Sequence, residues 1–253
     1  MELHQGLWKV YVYVYDSILL RFHPYLALLG QVKEALRAQD SWRLLDAGCG
    51  TGNLINTMVK SQPGVSIVGV DFEKAMLARA RAKLGINEKA TLLERNLDNP
   101  LPFADGEFDG IVCVNALYAV ANPSQFMMEC GRVLKTNGKL VLVTPPDQPK
   151  MGPIFMEHLE TLRHMYPQIW FFFLCGQILW LSPSLLLFLL INRIIQGQNS
   201  FTFFSEKELS SLVSRCGFLV KKVSKTYGGQ AWFLVCTKLK TAVTGTAGER
   251  EIT

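Results

Sequence analysis

Seven residues fix how this chain must turn. Asp46-Ala47-Gly48-Cys49-Gly50-Thr51-Gly52 follows the apolar run Trp42-Arg43-Leu44-Leu45 and precedes a helical pattern. A short strand that ends in a glycine-rich turn and opens a helix brings backbone close to a ligand. Glycine adopts positive φ without strain, and the first turn of a helix presents N–H groups that have no intrahelical partner. The spacing excludes the dinucleotide fingerprint G-x-G-x-x-G, which would require glycine at position 53, where the chain has Asn53. By itself such a turn could be no more than a tight connection between strand and helix.

The next segments extend the pattern. Val65-Ser66-Ile67-Val68-Gly69-Val70-Asp71 is a largely apolar, β-branched run ending in a carboxylate, as expected of a buried parallel strand. Asp71 lies 25 residues after Asp46, room for turn, helix, turn and strand. It is placed to accept ribose hydroxyls, or to cap a helix over Glu73–Leu84, or to do both. Asn96-Leu97-Asp98-Asn99-Pro100-Leu101-Pro102-Phe103 and Asp105-Gly106-Glu107-Phe108-Asp109 come next. After them are a strand over 110–115, a helix over 124–134 and Arg132-Val133-Leu134-Lys135-Thr136-Asn137-Gly138, which runs into a fifth strand.

Together these segments, spanning about residues 42–144, resemble the class I S-adenosylmethionine (SAM) dependent methyltransferases of small molecules. The resemblance implies an α/β fold, a doubly wound Rossmann-like sheet of seven strands with the last antiparallel, and SAM as cofactor. Gly48, Gly50 and Gly52 would then admit the cofactor, with Asp46 holding the turn and the methionine moiety. Asp71 would take the ribose, Phe72, Asn96 and Leu97 would flank the adenine, and Asn115 would start the loop facing the methyl group. Where the family has Asp the chain has Asn96, whose amide carbonyl can still accept from the adenine amino group.

Composition fits one α/β domain with an embellishment. The six cysteines form no C-x-x-C pair and read as small core residues. His4, His23, His158 and His164 lack metal-ligand spacing, so no metal is expected. The N-terminus lacks the basic region and cleavage site of a secretory signal. A net charge of +5, scattered along the chain, is too small for a nucleic-acid footprint, although it suits an anionic membrane surface.

Beyond the fifth strand, Ser205 and Glu208 predict a capping box, with a helix running to Cys216 and Gly217 just after it. Strands are expected over 218–225 and 231–238, and the polar tail 241–253 is expected to be disordered. Residues 1–40 read as an N-terminal helical cap. Within it, Ser17–Arg37 is a helix crossed by Pro24, and the alternating tyrosines before it fit an extended segment. The Tyr15-Asp16 pair resembles the leading segment of the ubiquinone/menaquinone C-methyltransferase group, in which an N-terminal helix covers the SAM site.

The domain at 41–240 contains an apolar helical insert over 145–204. Between Arg163 and Arg193 there is no Asp, Glu, Lys or Arg, and 19 of the 27 residues from Ile169 to Ile195 are Ile, Leu, Phe or Trp. At roughly 1.5–3 kcal/mol per large apolar side chain, such a surface does not stay in water. A single membrane span would put the two ends, which belong to one sheet, on opposite sides. Ser182-Pro183 predicts a break into two helices, Gln168–Leu181 and Pro183–Ile195, each too short to cross. The favoured reading is a hairpin dipping into a membrane through 166–195, and the alternative is a lid or subunit interface. The insert leaves the carboxyl end of the fifth strand, where an open α/β sheet binds its ligand, so it roofs the acceptor.

The expected function is transfer of a methyl group from SAM to a hydrophobic lipid, isoprenoid or quinone-like molecule, at the cytoplasmic side of a membrane by a peripheral or monotopic protein. Two alternatives stand. One is a soluble natural-product O- or N-methyltransferase with a closed apolar pocket, and the other is a catalytically silent binding subunit of the same fold. A general base is needed only if the acceptor must lose a proton. The candidates are Tyr118, His158, His164 and His23.

Overall fold

A computed structural model describes residues 2–147, 149–196 and 201–240. At its centre is one seven-stranded sheet in the order β3-β2-β1-β4-β5-β7-β6. In chain order the strands are β1 (Arg43–Ala47), β2 (Ser66–Asp71), β3 (Ala90–Glu94), β4 (Phe108–Val114), β5 (Leu134–Thr144), β6 (Phe218–Thr226) and β7 (Ala231–Lys238). β1 to β5 pair in parallel, and β7 enters antiparallel between β5 and β6. The chain order reverses between β1 and β4, and a crevice at the carboxyl ends of the strands is expected there.

The helices are α1 (Glu2–Leu19), α2 (His23–Leu36), α3 (Asn53–Ser61), α4 (Lys74–Leu84), α5 (Pro123–Val133), α6 (Met151–Met165), α7 (Trp170–Gln196) and α8 (Glu206–Arg215). Two apolar layers enclose the sheet. One packs α5 and α8 through Phe126, Met127, Leu209 and Val213. The other packs α2 and α3 through Leu28, Val32, Leu54 and Ile55. The capping box at α8 is formed: the Ser205 hydroxyl accepts from the Glu208 N–H, and the Glu208 carboxylate accepts from the Ser205 N–H. The Glu129/Arg132 pair acts as a clamp. Arg132 donates to the Leu101 and Phe103 carbonyls and to Asp105 and Glu129, fixing the loop before β4.

The N-terminal segment differs from the sequence expectation. The alternating tyrosines lie in α1, not in an extended strand. Tyr11 and Tyr15, four residues apart, meet with ring centroids at 5.7 Å, while Tyr13 between them points outward and is 65% exposed. The burial thus follows helical spacing rather than alternation. Pro24 does not cross a helix either. It occupies the first turn of α2, where the missing N–H is no loss.

The insert also differs. The expected break at Ser182-Pro183 is absent: α7 is continuous, with Pro183 inside it. The break comes earlier, at 166–169, between α6 and α7. Tyr166 precedes Pro167 and is held out of helical geometry at φ −133°, ψ 60°. Pro183 costs a helix about 3 kcal/mol, but α7 is braced along its length by α1 and α6, and that packing keeps it continuous. The hairpin is therefore α6–α7, and α1 lies antiparallel to α7, with Tyr11 and Val12 near Leu187. Among the described residues no helix is long and apolar enough to cross a membrane. The tail at 241–253 lies outside the described residues.

Candidate functional site

The site begins where β1 stops. Gly48, Gly50 and Gly52 have φ of 80°, 53° and 71°, all in the left-handed region. The loop is tied to β2: the Gly48 and Cys49 N–H groups donate to the Val70 carbonyl at 2.8 and 3.0 Å, and the Gly50 N–H donates to the Asp71 carboxylate at 2.8 Å. A Cβ on Gly48 would run into the Ala116 side chain, and one on Gly52 would meet that of Ala80 at 3.0 Å. A Cβ on Gly50 would meet nothing within 4 Å. The middle of the loop therefore faces open space, as a cradle requires.

Asp71 does not cap α4, contrary to one expectation from the sequence. That role falls to Glu73, whose side chain accepts from the Ala75 N–H. Asp71 instead joins the loop to the strand tip, accepting from Gly50 through one oxygen and from the Glu73 N–H through the other at 2.9 Å. Burial pushes its carboxyl up, against the backbone N–H groups of Glu73, Gly50 and Phe72 that favour the charged form. Asp46 is more strongly affected: burial, then the Asp71 charge, pushes it up to about 7. Two buried carboxyls beneath a loop of N–H groups suit a ligand carrying both positive charge and hydroxyl groups.

The other expected residues gather at the same end of the sheet. Phe72 stands beside Asp71 and is 61% exposed. Leu97 is buried and reaches toward Gly48. Asn96 is exposed and closes a turn, its side-chain carbonyl accepting from the Asp98 N–H at 3.0 Å. A second lone pair remains on that oxygen. Asn115 has φ 52° and turns the chain directly after β4.

The candidate bases are not gathered there. Tyr118 stacks on Phe203 and meets Phe201 edge-on, and burial raises its phenol. His23 and His158 lie together, their Nδ1 atoms 3.2 Å apart, and His158 Nε2 is 3.0 Å from the Gln177 side-chain carbonyl. Burial lowers both imidazoles. These polar contacts join α2, α6 and α7 rather than reaching the glycine loop.

Sequence reasoning missed the polar knot beneath the loop. Asp16 of α1 is buried, yet it accepts from the Thr51 hydroxyl at 2.6 Å and pairs with Arg79 at 3.1 Å and Lys83 at 3.0 Å, both on α4. Asn53 donates to Asp16 and to the Tyr25 hydroxyl and accepts from Lys83. Burial pushes the Asp16 carboxyl up, but the Thr51 and Lys83 hydrogen bonds and the nearby cations outweigh it and hold it below its ordinary value. The sequence signal was a lone Asp between apolar positions of α1 that turn inward.

Residues 45–142 match the family model described as a methyltransferase domain. The match takes in the glycine loop, Asp71, Asn96 and Asn115 and covers less than half of the chain. It implies SAM as the methyl donor. The chain is 34% identical over 138 residues to a demethylmenaquinone methyltransferase of Deinococcus radiodurans, covering 54% of this chain and 56% of the relative. It is 31% identical over 127 residues to a ubiquinone biosynthesis O-methyltransferase of Dechloromonas aromatica, covering 50% and 54%. The chain thus spans about half the length of these curated relatives. Among solved structures, a SAM-dependent methyltransferase of Thermotoga maritima, described as a possible histamine N-methyltransferase, superposes with a TM-score of 0.58 at 20% identity over 92% of this chain and 99% of that one. The [4+2]-cyclase SpnF does so with a TM-score of 0.59 at 15% identity over 84% and 80%. At these identities the likeness is one of fold, and the methyltransferase domain shares that fold with a protein named for a different reaction.

Proposed function

We propose that the chain moves a methyl group from SAM to a hydrophobic, quinone-like small molecule, at a membrane surface. The observation that carries the cofactor half is the Gly50–Asp71 hydrogen bond, which locks an open glycine cradle onto a strand-tip carboxylate. The residues fit the cofactor: Gly50 would leave room for it, in a loop that Gly48 and Gly52 let close against Ala116 and Ala80, Asp46 would face its cationic end, Asp71 its ribose, and Phe72, Leu97 and Asn96 its adenine. SAM brings a methyl group already activated on a sulfonium. The protein's part is therefore to orient the acceptor, with Asn115 and the loop after it beside the reacting end, and to exclude water with α1 and α7.

Two observations support the acceptor half. Two of the matched relatives are named for menaquinone and ubiquinone synthesis. The α6–α7 hairpin also leaves large apolar side chains in the open, with Phe172 74%, Leu179 77% and Phe171 56% exposed. Contiguous exposed apolar surface marks an interaction site, and on a hairpin beside Arg163 and His164 it suits a lipid interface.

Asp71→Ala tests the cofactor site. Losing a charge-assisted contact worth about 1.5–3 kcal/mol should weaken SAM about 10- to 150-fold by calorimetry, with the far-ultraviolet spectrum unchanged. Unchanged affinity would sink the assignment. Radiolabel passing from SAM into a quinone-containing lipid extract tests the reaction itself.

A further inference from the structure

Two cavities are strung along the groove between α1 and α7. The first, about 570 Å³, is lined by Arg21, Ile169, Phe172, Phe173, Gly176 and Gln177. The second, about 400 Å³, is lined by Tyr13, Asp16, Ser17, Arg21, Arg79 and Ser184 among others. Arg21 borders both, and both are open to solvent along the groove. The two differ in chemistry. The first is walled by aromatic and aliphatic side chains, and a Cβ on Gly176 would meet nothing within 4 Å, so this glycine leaves room in the groove. The second carries two guanidinium groups and two serine hydroxyls.

Charge decides what such a groove would take. Among the described residues lining the two depressions Asp16 is the only carboxylate, and it is already satisfied by Thr51, Arg79 and Lys83. Arg79 also lies over the Tyr13 ring at 4.9 Å. Arg21 donates to the Ser17 carbonyl at 3.0 Å and, among the described residues, makes no ion pair. An exposed guanidinium at the junction of an apolar trough and a cationic one is complementary to a chain with an acidic head.

We infer that the α1–α7 groove binds a single anionic amphiphile, its acidic head at Arg21 and its chain against Ile169, Phe172, Phe173 and the space beside Gly176. The inference shares only a lipophilic ligand with the proposed function. Binding is read without SAM, so either can fail alone.

The probe is cis-parinaric acid, whose fluorescence rises in apolar sites, titrated into the full chain below its critical micelle concentration. One saturable site displaced by oleate is expected. Arg21→Gln should weaken the acid about 10-fold and leave its methyl ester unaffected, since only the acid offers a charge. Gly176→Leu, which fills the trough without changing charge and favours the helix, should weaken acid and ester alike. Equal binding of acid and ester to the intact chain, or an Arg21→Gln protein that binds the acid as before, would overturn the site. So would displacement by phosphatidylglycerol vesicles but not by monomeric oleate, which would make the ligand a membrane surface.

Discussion

The glycine loop and the α6–α7 hairpin invert the usual partition of side chains in opposite senses. Around the loop, polar groups are inside: Asp16, Asp46, Thr51, Asn53 and Asp71 are all buried. On the hairpin, apolar groups are outside: Met156, Phe171, Phe172, Ile178 and Leu179 are all more than half exposed. Buried polar groups and open apolar surface are the two departures that carry information, because neither helps a chain that only has to fold. The first region is held by directional bonds and changes little when a ligand arrives. The second has packing on one side only and leaves its other side to solvent.

If that contrast is right, the largest loss should come from the buried knot. Asp16→Ala leaves Lys83 and Arg79 without their carboxylate, and breaking a buried pair in this way costs about 3–5 kcal/mol. Urea unfolding should show it, and a loss below about 1 kcal/mol would mean that the knot is not holding α1 to the loop.

An effect of comparable size, spread over about three pH units, is expected from Asp46. Burial raises its carboxyl to about 7, above the ordinary value near 3.9. Between those values the folded chain holds a proton that the unfolded chain has lost. The stability tied to this group is thus complete below about pH 4 and lost as pH rises to about 7, by up to about 1.4 kcal/mol per pH unit. Asp71, also raised, adds in the same direction. Urea midpoints from pH 4.5 to 8 should slope less steeply in Asp46→Asn, and identical slopes would remove Asp46 from the account. SAM affinity should rise over the same window, because a cation is favoured by the ionised carboxylate.

The smallest effect on stability belongs to the hairpin. Replacing Phe172 and Leu179 with Ser should shift unfolding by no more than about 0.5 kcal/mol per site, since both are exposed. Flotation with anionic liposomes should nevertheless fall severalfold. If the intact chain stays in the aqueous fraction as a monodisperse species, the membrane reading gives way to a lid or subunit interface.

Legibility tracked the reach of the interactions. β1 with its turn, the β2 tip at Asp71 and the Ser205–Glu208 box could be read because each is specified within a few neighbouring residues. β3 has no such marker: Ala90–Glu94 is a short edge strand with exposed Thr91 and Glu94, and only its pairing with β2 makes it one. Pro183 misled because local propensity favours a break, whereas bracing by α1 and α6 keeps the helix continuous. The Asp16 knot joins residues 35 to 67 positions apart, a distance at which sequence pattern is silent.

That separation also sets an order of assembly during synthesis. α1 leaves the ribosome ahead of every partner it will use. Thr51 and Asn53 emerge within a few dozen residues, then Arg79 and Lys83, and the α7 surface that faces Tyr11 and Val12 comes more than a hundred residues later still. Domains synthesised at about 5–20 residues per second leave this first helix waiting for seconds with its inward face uncovered. A chaperone that shields short apolar segments would therefore meet α1 before the partners of that helix emerge, and slowing translation between residues 84 and 170 should lengthen that encounter.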